Sequence, residues 1–229
     1  DTVAAEDTGG TGNTDDDDGG ADAGDTGGTD SQGDGGEGAV DDGETGGAEP
    51  AGGAGGAPSA CDLSREGREE EVIEAGTNWS GELDASKVYV LEGNVYVDDG
   101  DTLTIPPCTR IEGDGPTKAT LIVTRGGRIE AEGTADAPIL FTARDEAEAG
   151  SWDGLLLLGR APCSLGDDVA VEGLPEDPRH QFGGTDADDD SGILRYVRLE
   201  YTGIDLGNGN EINGLSVAGV GSGTTISHV

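Results

Sequence analysis

The chain has 229 residues and a formal net charge of −37 at pH 7, with 49 acidic residues against 12 lysines and arginines. This charge argues against nucleic acid or an anionic membrane surface as a partner, because no basic stripe is present to neutralise phosphates. No run of about eighteen apolar residues occurs, so the sequence predicts no membrane-spanning helix. Neutral glycans, basic or other surface proteins, and divalent cations remain open as partners.

The first sixty residues differ sharply in composition from the rest. They hold 16 of the acidic residues and 19 of the 44 glycines, and they contain no lysine, arginine or aromatic residue. Such a segment buries too little apolar surface to offset the entropy lost on ordering, and its like charges repel. We therefore predict a disordered acidic Gly/Asp-rich tether over 1–60, an N-terminal cap or entry segment over 61–85, and the main folded domain over 86–229.

An acidic spacer ahead of a folded domain suits a protein held away from a surface. We expect an exported protein with an anchor, such as a lipid, upstream of Asp1. An ordinary secreted protein with a disordered end is the alternative.

The folded part contains an internal repeat. Leu103–Gly113 aligns with Leu121–Ala131, and the same shift applied once more to Leu121 reaches Ile139. Repeats of this length are typical of stacked supersecondary units, and short runs rich in Val, Ile and Leu between Gly, Asp and Pro are typical of strands. We predict an all-β parallel β-helix, or solenoid, of about seven stacked coils, with Leu103, Leu121 and Ile139 in one inward ladder.

Two features of this pattern have alternatives. A β-sandwich is disfavoured because its antiparallel hairpins need no fixed period, whereas a β-helix returns to the same position in each coil. The stretch Glu69–Glu74 fits either a helical turn or an opening strand.

Eight segments of the folded part together carry a resemblance to known proteins: Val88–Gly93, Leu121–Val123, Ala131–Ala135, Trp152–Gly159, Gly183–Asp186, Ser191–Arg198, Gly209–Leu215 and Gly219–Val229. They resemble the bacterial secreted or cell-surface right-handed parallel β-helix proteins, which include lipoproteins. The resemblance covers about 86–229 and implies export and a pectate-lyase-like solenoid, but no established activity and no agreed catalytic residues.

One acidic segment is a candidate metal site. Asp186, Asp188 and Asp190 place carboxylates at alternate positions, as calcium-binding loops do. An EF-hand would need Gly at the sixth position and Glu at the twelfth, where this chain has Ser191 and Val197. A looser calcium site of oxygen ligands is the functional interpretation, and a solvated acidic loop is the structural one.

The three cysteines predict one disulfide, since an exported chain favours disulfides and three is an odd number. Stepping by the repeat length places Cys163 about three rungs from Cys108, on the order of 14 Å at the usual strand spacing. Cys61 lies just before the first predicted coil. We therefore predict a Cys61–Cys108 disulfide.

Two classes of function fit this sequence. The first is a non-enzymatic surface protein for adhesion, glycan contact or envelope architecture. The second is a polysaccharide-active enzyme, a lyase or glycoside hydrolase, for which Asp186–Asp190 beside Arg195 and Arg198 is the only candidate cluster. No phosphate loop, dinucleotide motif or Gly-x-Ser-x-Gly occurs. Trp152 could stack on a sugar but is more typical of a core residue.

The end of the sequence also predicts a continuation of the fold. Thr224–Val229 alternates in polarity like a strand and shows no closing turn or capping helix. A solenoid needs a cap to cover its last coil. We therefore expect further coils beyond Val229.

Overall fold

We analysed the fold in a computed structural model, which describes residues 61–145, 148–207 and 210–229 and, outside 204–212, their side chains. The predicted tether over 1–60 lies outside the described residues. Among the described residues, no helix has the length and apolar character needed to cross a membrane.

The regular secondary structure of the described residues consists of short strands and a single 3₁₀ turn at Pro178–His180. The strands are β1 (Glu69–Ile73), β2 (Gly81–Glu82), β3 (Lys87–Leu91), β4 (Asn94–Val97), β5 (Thr102–Ile105), β6 (Arg110–Gly113), β7 (Thr120–Val123), β8 (Arg128–Glu132), β9 (Ile139–Ala143), β10 (Gly154–Leu158), β11 (Val169–Ala170), β12 (Gln181–Phe182), β13 (Gly192–Arg195), β14 (Val197–Leu199), β15 (Ile204–Gly207), β16 (Asn210–Ile212), β17 (Leu215–Ala218) and β18 (Thr225–Ser227).

Three parallel sheets run along the molecule. Sheet A has the strand order β1-β3-β6-β9-β14, sheet B has β17-β10-β7-β4, and sheet C has β18-β13-β8-β5-β2. The chain visits A, B and C in turn, and each strand pairs in parallel with the equivalent strand of the next coil. This arrangement is a parallel β-helix, and the described residues make five coils of it. The predicted fold class is therefore confirmed.

Short glycine-containing turns join sheet B to sheet C. In two successive coils this turn is only four residues long, at 98–101 and 124–127. Gly100 and Gly126 both have φ of 84°, a conformation that L side chains rarely adopt. They stack directly, because the Gly100 N–H donates to the Gly126 carbonyl at 3.0 Å. The two turns thus continue the coil-to-coil hydrogen bonding beyond the strands.

The core lies inside the coil and is made of aliphatic ladders. On sheet B, Val95, Leu121 and Leu155 are in register, and all three are fully buried. Burying a side chain of this kind stabilises the fold by roughly 1.5–3 kcal/mol. Because equivalent apolar side chains stack in register, each coil covers the apolar core surface of the next coil.

The predicted ladder of Leu103, Leu121 and Ile139 is wrong in its register. All three side chains are fully buried, but they lie on sheets C, B and A respectively. A complete turn on sheet B is longer than the sequence repeat, since it runs from Val95 to its partner Leu121. The repeat advances the chain by only two strands, from β5 to β7 and from β7 to β9. The sequence repeat therefore identified correctly which positions point inward, but it did not identify the sheet on which each position lies. Because the repeat is shorter than a complete coil, it also led to too many predicted coils.

The β-helix also begins earlier than the predicted boundary at residue 86. Strand β1 pairs in parallel with β3, and β2 pairs with β5, so both belong to the first coil. The stretch Glu69–Glu74 is consequently an opening strand. Ile73 is the only buried residue of β1. The many glutamates of this segment hide the apolar alternation that predicts a strand.

A long insertion replaces the short sheet-B-to-C turn in the fourth coil. It runs over 159–191, between the end of β10 and the start of β13, and contains the antiparallel pair β11 and β12. The insertion packs on the outer face of sheet B, and its apolar side chains cover those that point outward from the sheet. The sheet contributes Tyr96, Ile122, Leu156 and Leu158, and the insertion contributes Val171, Leu174 and Phe182.

Candidate functional site

The three predicted calcium ligands do not converge. Asp186 accepts a hydrogen bond from the Asp188 N–H at 3.1 Å, and the Asp188 carboxylate accepts one from Ser222 Oγ at 2.8 Å. Asp190 forms an ion pair with Arg128, which raises the pKa of that guanidinium. Among the described residues, no group of three or more His, Cys, Asp or Glu side chains is placed to hold a metal ion. The alternating carboxylates instead make one hydrogen bond within the turn and two contacts to other coils, at Ser222 and Arg128.

The cysteines are placed as the sequence predicted. Cys61 and Cys108 form a disulfide with a Cα–Cα distance of 5.6 Å. Cys163 is free and half-buried, and its thiol lies 3.1 Å from the Gly166 carbonyl. The disulfide joins the segment ahead of β1 to the turn between β5 and β6.

Trp152 is a core residue. It is 1% exposed, and its Nε1 donates to the Glu200 carbonyl at 2.8 Å. Gly113 faces it, and a Cβ at that position would lie 2.5 Å from the indole ring. This burial excludes direct stacking of Trp152 on a sugar.

The main candidate site is a cleft of about 630 Å³ on the outer side of sheet B. We call it the cleft; one wall is Gly173–Pro175 of the insertion, and the other is the first coil around Ala75 and Gly76. The side chains between these walls are Asn94, Tyr96, Thr117, Lys118 and Asp153.

Asp153 is held firmly at the start of β10. Its N–H donates to the Ala119 carbonyl at 3.1 Å, and its own carbonyl accepts from the Gly203 N–H at 3.3 Å and from Thr202 Oγ1 at 3.4 Å. The residue is 4% exposed, and its Oδ1 has no hydrogen-bond partner in the part of the chain that the structure describes. Burial raises the pKa of the Asp153 carboxyl, while Lys118 and the Thr120 hydroxyl oppose the rise.

The insertion is fastened to the sheet by an aromatic cluster beside the cleft. His180 is buried and lies between two partners, with Nε2 at 3.0 Å from the Tyr96 hydroxyl and Nδ1 at 2.8 Å from the Pro175 carbonyl. Since a carbonyl can only accept, Nδ1 carries a proton and donates to Pro175. Arg179 covers the Tyr96 ring at 3.6 Å, which is a cation–π geometry. We call Tyr96, Arg179 and His180 the latch.

Sequence reasoning did not identify the cleft residues. Lys118 and Asp153 are far apart in the chain and meet only because the coil register aligns β7 with β10. The one local signal was that Lys118 is one of only two lysines in the chain. The predicted cluster of Arg195 and Arg198 with Asp186–Asp190 does not line this cleft.

The parallel coils, with a cleft on the outer side of one sheet, define the class of this protein as a parallel β-helix. Residues 76–229 match the family described as the pectate-lyase-like β-helix domain, so the chain belongs to this family. No curated protein and no solved structure matches the chain.

Proposed function

We propose that this chain is a secreted or surface-anchored bacterial β-helix protein that contacts a neutral glycan without catalysis, in adhesion or in cell-envelope architecture. The observation that carries the proposal is the cleft. Its lining combines a carboxylate, an ammonium group and an amide with the apolar surfaces of Leu174, Pro175 and Tyr96. Hydroxyl-rich ligands need such a mixture, because their polar edges require hydrogen bonds and their C–H faces require apolar contact.

Charge and covalent structure support the same proposal. The Cys61–Cys108 disulfide suits an oxidising compartment outside the cytoplasm. The large negative charge would repel acidic polysaccharides and favours a neutral ligand.

A polysaccharide-active enzyme is the second candidate. The buried carboxyl of Asp153, with its raised pKa in a cleft, is the observation in its favour. A glycoside hydrolase, however, uses two carboxyl groups on either side of the scissile bond. Asp153 is the single acidic side chain among the described residues that line the cleft.

A glycan array with the full chain tests the first proposal. We expect binding to neutral oligosaccharides and none to polygalacturonate. His180→Ala, which releases the insertion wall, should weaken binding. Arg195→Ala is the matched control, because Arg195 pairs with Glu132 on the outer face of sheet C. Absence of binding to every neutral glycan, or equal binding by His180→Ala, would overturn the proposal.

The same ligands distinguish the enzyme. Prolonged incubation should release no new reducing ends and no unsaturated product that absorbs ultraviolet light. Product formation that is lost in Asp153→Asn would establish the enzyme instead.

A further inference from the structure

We infer that Asp153 and Lys118 form a subsite in the cleft that holds one neutral sugar ring through two neighbouring hydroxyl groups. One hydroxyl donates to the Asp153 carboxylate, and the other accepts from the Lys118 ammonium group. The inference rests on the proposed function and adds the ligand class and the residues that bind it.

The first argument is the unmatched carboxylate. Glu112 is fully buried as well, but its oxygens lie 2.7 Å from Arg110 Nε and 3.1 Å from an Arg65 guanidinium nitrogen. Glu112 Oε2 also accepts no hydrogen bond, but its ion pairs offset the burial. Asp153 is almost as buried, and among the described residues it forms no ion pair within 4.0 Å and its Oδ1 has no hydrogen-bond partner. A buried polar atom without a partner destabilises the fold and calls for an explanation. Because Asp153 lines the cleft, a ligand hydroxyl that donates to its carboxylate would offset part of this cost.

The second argument is the position of Lys118. It lines the same cleft as Asp153, yet no ion pair closes the space between the two charges. Lys118 also has a φ of 54°, in the left-handed region that residues other than glycine rarely occupy. Its N–H donates to the Gly115 carbonyl at 2.9 Å, so a tight turn fixes the backbone that carries the ammonium group.

The charges disfavour an acidic ligand. A uronic acid would add negative charge to a chain whose formal net charge is already −37. Adjacent hydroxyl groups each donate and accept, so one pair of them satisfies both side chains.

Stability supplies a readout that does not depend on the glycan. Because burial raises the pKa of Asp153, its ionised form destabilises the folded state above that pKa. Asp153→Asn should therefore raise the melting temperature at pH 7. The difference should disappear as the pH falls below the ordinary carboxyl value of 3.8, where the native side chain is also neutral.

The binding experiment is calorimetric titration of the full chain with maltohexaose, cellohexaose, xylohexaose and mannohexaose. Hexamers of galacturonic acid and of glucosamine serve as the charged probes. We expect at least one neutral hexamer to bind, and Asp153→Asn and Lys118→Met each to reduce its affinity tenfold or more. Arg195→Ala should bind as the native chain does, and the galacturonic acid hexamer should not bind. The cationic glucosamine hexamer, which the net charge of −37 attracts, should bind the native chain and Lys118→Met equally.

Each outcome has a defined meaning. Equal binding by the native chain, Asp153→Asn and Lys118→Met would overturn the subsite and leave glycan contact standing. Absence of binding to all neutral hexamers would overturn both proposals. A lower melting temperature of Asp153→Asn at every pH would show that the carboxylate is structural and would also overturn the subsite.

Discussion

The latch gives a quantitative prediction for local stability. His180→Ala removes the hydrogen bonds of 3.0 Å to the Tyr96 hydroxyl and 2.8 Å to the Pro175 carbonyl. At about 1 kcal/mol net for each bond, the insertion should lose roughly 2 kcal/mol of local stability. Since 1.4 kcal/mol corresponds to a factor of about ten, amide hydrogens of the insertion should exchange roughly 30-fold faster.

Two amides report this opening directly. The Val171 N–H donates to the His180 carbonyl, and the Gly183 N–H donates to the Gly159 carbonyl, each at 2.9 Å. Hydrogen exchange measured by NMR should show acceleration at both sites. The Leu155 N–H, which donates to the Gly214 carbonyl within sheet B, should keep its protection because the coil remains paired.

Tyr96→Phe is the matched variant. It removes the hydroxyl but keeps the ring beneath Arg179, so it should accelerate exchange less than His180→Ala does. Unchanged exchange at Val171 and Gly183 in His180→Ala would refute the latch. Equal acceleration in the insertion and at Leu155 would also refute it, because the insertion would then open only with the whole coil.

Three further predictions concern the core, the disulfide and pH. Gly113→Ala places a Cβ 2.5 Å from the Trp152 ring, so it should destabilise the fold by about 1–3 kcal/mol and lower the melting temperature followed by tryptophan fluorescence; an unchanged melt would contradict this packing. Reduction of the Cys61–Cys108 disulfide, which spans a sequence separation of 47, should remove up to about 4 kcal/mol and expose the segment before β1 to proteases ahead of the sheets; simultaneous cleavage everywhere would contradict it. Hydrogen bonds from Arg179, which also forms an ion pair with Asp177, lower the pKa of Asp177 to about 2, so its ionised form stabilises the 3₁₀ turn above the ordinary value of 3.8. The protection factors of the turn in hydrogen exchange should therefore fall as the pH drops from 4 toward 2, and constant protection factors would count against this ion pair.

The fold class could be predicted from sequence, while the register could not. Short Val, Ile and Leu runs between Gly and Asp turns indicate strands, and the buried positions Leu103, Leu121 and Ile139 were all identified as inward. Their assignment to a single ladder failed because the coils of this chain differ in length. On sheet A, the turn from Tyr89 to its partner Ile111 is shorter than the next one, from Ile111 to Phe141. A fixed period cannot describe such a coil.

The candidate site was beyond sequence reasoning for the same reason. Asp153 follows a core tryptophan and precedes an apolar strand, so nothing local distinguishes it from a turn residue. Its burial depends on the insertion and on the neighbouring coils, which meet it only in the folded chain. The alternating aspartates from Asp186 onward gave a stronger local pattern, yet each already has a partner within the fold.

The insertion over 159–191 stands where the two preceding coils use four residues, and the pairing on both sides of it is intact. Leu158 pairs with Ala218 before it, and Gly192 pairs with Ile129 after it. Lengthening a flexible loop from the short turn to this insertion is about three doublings, which costs only about 2 kcal/mol in closure entropy. The coil can therefore accept a different sequence at this turn without changing its own register. Lineages that exchanged this segment would alter the wall of the cleft while inheriting the same scaffold, and ligand preference could diverge faster than the fold.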